Sequence, residues 1–187
     1  ADQIKGLLSD AQDTSSSAPL FYMMDEPLPG FRSWVKEAEH AQPTTPIADE
    51  VAGYDMLYSS GTTGRPKGIK KAFEGAPIDV PNAFLKLLCA NMCGMNADSI
   101  YLSPAPLYHA APLRFSMMAV TLGGTVIIME HFDAEDFLRQ VEKHKITKSQ
   151  LVPTMFVRML KLPDDVRAKY DVSSLVGAIH AAAPCPV

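Results

Sequence analysis

The chain has 187 residues, of which 47% are hydrophobic and 20% charged, and its formal net charge is −4. These values are typical of a globular protein with a sizeable core, and they exclude a general attraction to nucleic acid or to anionic membranes. The longest nearly apolar run, 115–129, is too short to cross a membrane and is interrupted by two glycines.

The first fifty residues are expected to form a short strand, helices and a linker that precede the main sheet; this stretch is called the lead-in region. Ile4, Leu7 and Leu8 have the spacing of a short amphipathic helix, and the apolar run 20–24 is typical of a buried strand. A helix is expected over 31–41, with Trp34 on its core side. A proline-bounded linker then leads into a strand predicted over 47–59.

The next segment has an unusual composition for a turn: it reads Tyr58-Ser59-Ser60-Gly61-Thr62-Thr63-Gly64-Arg65-Pro66-Lys67-Gly68. Glycines let backbone amides approach a ligand closely, hydroxyls add donors, and two cations favour clustered negative charge. The order differs from a Walker A loop, in which the lysine follows the second glycine. A polar surface turn is the simpler alternative, but the segment favours polyphosphate binding.

Further along, a return strand is predicted over 69–73 and a helix over 82–95, the latter with a methionine-rich face expected to pack in the core. Cys89 and Cys93 lie four residues apart on this helix. They could share a metal, but without further ligands nearby they are better interpreted as core thiols of a protein from a reducing compartment.

The rest of the chain alternates strands and helices. Strands are predicted over 99–102, 125–129, 146–152 and 175–180, and helices over 114–122, 134–145 and 153–162. This order predicts an α/β fold with a mixed, largely parallel sheet and flanking helices. Ligands of such sheets lie beyond the carboxyl ends of the strands. We therefore expect three loops to converge there: 60–68, 104–113 and 181–184.

Together these segments resemble the adenylate-forming superfamily, which includes acyl-CoA synthetases, peptide-synthetase adenylation domains and beetle luciferases. The glycine-rich segment resembles the family's phosphate loop. Pro106-Leu107-Tyr108-His109 resembles the next motif, whose aromatic or histidine residue lies between the nucleotide and acyl sites, and Ala181-Ala182-Ala183-Pro184 resembles the segment along the adenine ring. The resemblance extends over most of the chain from about Leu20.

The resemblance implies that a carboxylic acid, with a fatty or other apolar acid fitting best, is activated by ATP and transferred to coenzyme A, as in fatty acid metabolism. Lys67, His109 and Thr62 would be catalytic, and a hydroxyl of Thr62 or Thr63 would lie near Mg²⁺. The expected nucleotide-binding residues are Ser59, Ser60, Gly61, Thr62, Thr63, Gly64, Lys67, Ala181, Ala182, Ala183 and Pro184. A cytoplasmic protein, or one peripheral at a membrane, is expected.

The resemblance has limits. After Gly68 the family often continues to a Thr-His or Ser-His pair, whereas this chain has Ile69-Lys70-Lys71-Ala72-Phe73. The family's Mg²⁺-binding glutamate, ribose-binding aspartate and C-terminal catalytic lysine would all follow Val187. The sequence therefore predicts part of the large N-terminal domain (1–50 lead-in, 51–187 phosphate loop and sheet core), without the C-terminal domain and inactive alone.

Three alternatives stay open. A peptide-synthetase adenylation domain usually has an aspartate just after the aromatic motif, to pair with an amino acid's ammonium group, and residues 110–115 contain no acid. A non-catalytic module would hold a nucleotide, or nothing. A phosphohydrolase would need a general base near the loop, for which the sequence offers only His109.

Overall fold

The computed structural model describes residues 20–24, 26–58, 65, 67–181 and 183–184. The chain forms two compact units, Ala1–Glu50 and Val51–Val187. In the first unit, β1 (Tyr22–Met23) pairs in parallel with β2 (Arg32–Ser33), and a short π-helix, Val35–Glu39, follows. The helix predicted over 31–41 is therefore wrong in its first third, because strand pairing with β1 captures those residues.

Trp34, at the start of that π-helix, is 44% exposed, so the expectation that it belongs to a core is also wrong. Its ring meets the ring of Tyr22 edge-on, with centroids 5.9 Å apart. The helix predicted around Ile4, Leu7 and Leu8 lies outside the described residues.

The second unit contains six strands and five α-helices among the described residues. An antiparallel pair comes first, β3 (Leu57–Tyr58) and β4 (Gly68–Ile69). The remaining elements, in chain order, are α1 (Ala83–Lys86), which continues as a π-helix (Leu87–Met92), β5 (Ile100–Ser103), α2 (Ala110–Thr121), β6 (Thr125–Ile128), α3 (Ala134–His144), β7 (Lys148–Leu151), α4 (Pro153–Leu160), α5 (Asp164–Ala168) and β8 (Gly177–His180).

Four of these strands form an all-parallel sheet in the order β6-β5-β7-β8. Alternate residues of β5 bury against opposite faces: Leu102 belongs to a core cluster with Phe137 of α3, and Tyr101 belongs to another with Phe115 of α2. The predicted α/β fold, a parallel sheet with helices on both faces, is confirmed. Because the strands are parallel, their carboxyl ends share one edge.

The helix α3 begins and ends as its sequence predicts. The side chain of Asp133 accepts a hydrogen bond of 2.8 Å from the amide of Asp136, and Lys145 closes the helix in the left-handed conformation, with φ of 50°. Lys143 and His144 occupy the last turn, where cations complement the helix dipole. These cations therefore belong to a helix terminus.

The segment predicted as a helix over 82–95 is helical, but its second half is π-helical. Because i→i+5 hydrogen bonds turn the chain differently from an α-helix, the predicted methionine-rich face does not stay on one side. Met92 is exposed while Met95 and Cys89 are buried. The Cys89 side chain is a core thiol, as expected, and burial raises its pKa to about 11. In the described part of the chain, no three His, Cys, Asp or Glu side chains form a metal-binding group.

The turn between α2 and β6 leaves no room for a side chain at Gly124, so a substitution there should lower the stability of the protein. A Cβ added to Gly124 would lie 2.8 Å from the carbonyl oxygen of Ser99 and 3.1 Å from that of Ala119, both backbone atoms, whereas a Cβ on Gly53 would meet nothing within 4 Å. We expect Gly124→Ala to destabilise the full-length protein by about 1–3 kcal/mol. Urea denaturation should show a lowered midpoint for Gly124→Ala but not for the control Gly53→Ala, and equal midpoints would contradict the packing described.

Within the described ranges, no helix is long and apolar enough to cross a membrane.

Candidate functional site

The glycine-rich segment lies at the turn of a hairpin. Strands β3 and β4 pair antiparallel, with Tyr58 opposite Gly68 and Leu57 opposite Ile69, which confirms a return strand, although it begins one residue earlier and is shorter than predicted. Arg65 and Lys67 are described, and both are exposed. Residues 59–64 and Pro66 lie outside the described residues, so the proposed ligand contacts of Ser59, Ser60, Gly61, Thr62, Thr63 and Gly64 stay predictions.

The described end of the loop shows why its last residue is glycine. A Cβ at Gly68 would lie 3.1 Å from Cε1 and 3.3 Å from Cζ of the Tyr58 ring, and 3.6 Å from the sulfur of Met56. The tyrosine ring therefore packs over the bare backbone of the opposite strand. This cross-strand contact closes the loop at the strand ends, and a larger residue at 68 would displace the ring.

The helix after β5 begins four residues earlier than predicted. Pro112 occupies the third position of α2, where its missing N–H costs nothing because the first four amides of a helix have no partner within it. His109 consequently becomes the residue that precedes the helix. Its amide donates to the carbonyl of Pro106 (3.1 Å), and its own carbonyl accepts from the amide of Leu113 (3.2 Å).

The side chain of His109 faces outward. Its ring is exposed and its centroid is 4.5 Å from that of Tyr108, which is itself 82% exposed. Both rings follow the carboxyl end of β5 by a few residues. The histidine and its aromatic neighbour are therefore held at the sheet edge by a turn and a helix start, with their side chains available to a ligand.

The small-residue segment follows the last strand of the sheet. The amide of Ala181 donates to the carbonyl of Leu151 (3.2 Å), which extends the pairing of β8 with β7 by one residue. Ala183 and Pro184 are exposed, and Ala182 lies outside the described residues. Short side chains at a strand end would leave room for a planar ring, but contact of this segment with adenine stays a prediction.

The expected convergence of three loops at the carboxyl edge needs a correction. The loops after β5 and β8 do share that edge, and only β7 lies between their strands. The glycine-rich loop does not follow a strand of the parallel sheet, since β3 and β4 form a sheet of their own. The strand that precedes this loop, β3, is only two residues long. The sequence predicts a longer strand over 47–59, but residues 47–56 do not pair with another strand among the described residues.

An ion pair that the sequence did not predict joins this hairpin to α2. The Arg114 side chain donates from Nε to Oδ2 of Asp55 at 3.0 Å, and its Nη2 lies 2.8 Å from the same oxygen. The side chains are 27% and 32% exposed. One local feature of the sequence could have indicated that Arg114 has a special role: it is the sole charged residue in the run 110–122. Its partner, 59 residues earlier, could not be chosen from the sequence.

The electrostatics of the hairpin differ from those of the whole chain. Segment 54–74 carries four cations, Arg65, Lys67, Lys70 and Lys71, against the two carboxylates Asp55 and Glu74. Asp55 is paired with Arg114, and Glu74 accepts a hydrogen bond of 3.0 Å from the hydroxyl of Tyr54, which raises the pKa of that phenol. A locally positive hairpin in an acidic protein is suited to a polyphosphate.

Comparison with known protein families identifies one match over nearly the whole chain. The profile described as "AMP-binding enzyme" matches residues 2–187. Among characterised relatives, 4-coumarate–CoA ligase 1 from Solanum tuberosum is 32% identical over 162 residues, which cover 82% of this chain and 28% of the relative. Acyl-CoA synthetase 7 from Caenorhabditis elegans is 35% identical over 136 residues, covering 70% of this chain and 25% of the relative.

Solved structures give a consistent result. The o-succinylbenzoate CoA synthetase from Bacillus subtilis, in complex with an acyl-adenylate intermediate, is 26% identical with a TM-score of 0.54, covering 69% of this chain and 31% of that one. The chain thus spans less than a third of the length of each of these three proteins.

Proposed function

Because the chain belongs to the AMP-binding enzyme family, we propose that the full-length protein activates a carboxylic acid with ATP and transfers the acyl group to coenzyme A. A carboxylate oxygen attacks the α-phosphorus, the bond from that phosphorus to the bridging oxygen breaks, and pyrophosphate leaves. The thiol sulfur then attacks the acyl carbonyl carbon, AMP leaves, and the thiol proton passes to solvent.

The observation that carries this proposal is the hairpin. Tyr58 and Gly68 close a loop rich in glycine and hydroxyl residues, and the segment around it is cationic. Lys67, one residue before β4, would neutralise charge that grows on the departing pyrophosphate. The backbone amides of the loop would hold the phosphates before and after bond cleavage.

His109 and Ala181–Pro184 would complete the nucleotide and acyl sites. The exposed histidine lies at the end of the loop from β5, where it can orient the acyl carboxylate or gate its entry. The alanines after β8 would lie along the adenine ring. Thr62 and Thr63, whose hydroxyls would lie near Mg²⁺, are outside the described residues.

The acyl substrate is proposed to be apolar and to lack an ammonium group. An amino-acid substrate needs a carboxylate to pair with its ammonium group, and Asp55, an acid that contacts α2, is already paired with Arg114. Apart from Arg114, residues 110–115 of α2 are alanine, proline, leucine and phenylalanine. A fatty acid or an aromatic acid fits this composition better than an amino acid.

The test is ATP–pyrophosphate exchange by the full-length protein with a panel of acids: fatty acids of graded length, 4-coumarate and the standard amino acids. Exchange with fatty or aryl acids, followed by thioester formation with coenzyme A, is expected. Exchange with amino acids alone would replace the substrate proposal by that of a peptide-synthetase-type domain. No exchange with any acid, despite ATP binding, would identify a non-catalytic nucleotide-binding module.

A further inference from the structure

We propose that the Asp55–Arg114 ion pair is a positioning element that holds the glycine-rich hairpin against the first half of α2. This inference rests on the proposed function, because its consequence concerns two reacting groups. The hairpin would hold the phosphates of ATP, and the loop that ends at His109 would hold the carboxylate. The ion pair would fix the distance between the two.

The geometry of the pair is directional. Two guanidinium nitrogens of Arg114, Nε and Nη2, approach a single oxygen of Asp55 at 3.0 and 2.8 Å. Such charge-assisted contacts from a planar fork restrain orientation as well as distance. Roughly two thirds of each side chain is shielded from solvent. Salt and side-chain motion therefore weaken this pair less than they weaken a fully exposed one.

The hairpin has few residues in regular pairing of its own. Each of β3 and β4 contributes two residues, and a two-stranded ribbon of this size is not stable by itself. Two further hydrogen bonds join one arm of the hairpin to the other. The amide of Ala52 donates to the carbonyl of Ala76 (2.8 Å), and the hydroxyl of Tyr54 donates to the carboxylate of Glu74 (3.0 Å). The Asp55–Arg114 pair instead leads out of the hairpin, to α2.

The two ends of the pair lie close in sequence to the reacting groups. Asp55 is two residues before β3, and Arg114 is five residues after His109, just over one helical turn into α2. Because a helix is rigid, a displacement of Arg114 also displaces the first residue of α2, Ala110, which directly follows His109. In-line attack on phosphorus tolerates little error, and a misplacement of about 1 Å can lower a rate about a hundredfold.

Loss of the arginine should leave the fold intact. Asp55 lines a cavity of about 220 Å³ together with Lys70 and Lys71 of the opposite arm, so its carboxylate keeps cations nearby when Arg114 is neutralised. Arg114→Gln removes the charge and shortens the side chain, but it keeps an amide that can form hydrogen bonds. We therefore expect the variant to fold, with a hairpin held less firmly against the helix.

The experiment is rapid-quench measurement of a single turnover of adenylate formation by the full-length protein. We expect Arg114→Gln and Asp55→Asn each to lower the rate constant about 10–100-fold at saturating ATP and acid. The amplitude of adenylate formed per protein should not change, because amplitude reports the fraction of folded sites. The double charge reversal, Asp55→Arg with Arg114→Asp, should recover at least part of the lost rate.

The matched control is another ion pair of the same unit. Lys145 Nζ lies 3.2 Å from Oδ2 of Asp171, beyond the end of α3, and Asp171→Asn should change neither rate constant nor amplitude. An unchanged rate constant in Arg114→Gln, or a fall in amplitude alone, would overturn the inference and leave a purely structural pair. Absence of adenylate in the unmodified protein with every acid would instead refute the proposed function, and the inference with it.

Discussion

Replacing Lys67 by alanine in the full-length protein is expected to lower the rate constant of adenylate formation about a hundredfold, because removal of one charged donor from a developing anion costs a factor of that size. Lys67 is exposed and lies immediately before β4, at the closed end of the glycine-rich loop. Under the proposed function, the charge that Lys67 would offset grows on pyrophosphate as the bond to the α-phosphorus breaks. Affinity for the acid should therefore change little.

The measurement is single-turnover adenylate formation at saturating ATP, with acid affinity determined separately by titration. Lys161→Ala is the control, since Lys161 is also exposed but follows α4, outside the three loops assigned to the proposed site. Equal losses in rate and in acid affinity for Lys67→Ala would contradict a role confined to the pyrophosphate. A hundredfold loss in Lys161→Ala would contradict the assignment of the site itself.

Replacing Phe137 by alanine is expected to lower the free energy of unfolding by about 3–5 kcal/mol, the range found when a buried aromatic side chain is removed. Phe137 lies on α3, is 1% exposed and packs in the same cluster as Leu102 of β5, Val141 and Leu151. Its ring also meets that of Phe132, with centroids 6.3 Å apart. Truncation leaves a cavity beneath the central strands that the parallel sheet cannot easily close.

Urea or guanidinium denaturation of the full-length protein would report this loss as a lowered midpoint of the transition that includes the sheet. Leu160→Ala removes an apolar side chain that is 67% exposed at the end of α4, and it should change stability by less than about 0.5 kcal/mol. If both variants unfolded at the same midpoint, Phe137 could not be a central core residue.

The sequence predicted best those elements whose signals are local. Helix α3 has its cap, its acidic first turn and its cationic last turn within a dozen residues, and its predicted bounds differ from the observed ones by one residue. The start of α2 was missed because Pro112 reads as a helix breaker, although it is harmless in the first turn. The π-helix after α1 was missed because residue periodicity does not distinguish it from an α-helix.

For the candidate site, the sequence predicted the position of two of the three loops but not that of the glycine-rich loop. The general rule for parallel sheets placed the loops 104–113 and 181–184 at one edge, and the strand order agrees. The rule failed for the glycine-rich loop, because nothing in residues 47–59 indicates that their strand pairs only with its own return segment. The Asp55–Arg114 pair depends on a contact across 59 residues, which no local pattern contains.

The strand order β6-β5-β7-β8 affects which parts of the sequence can be replaced, in evolution or by design, without disturbing the core. The connection leaving β5 runs through α2 to one side, and the connection leaving β7 runs through α4 and α5 to the other, so the winding direction reverses between two neighbouring strands. A crevice opens at such a reversal without any side chain having to be removed from the core. Under the proposed function, loop replacements on either side of this reversal would alter substrate preference at little cost in stability, because they leave the core unchanged.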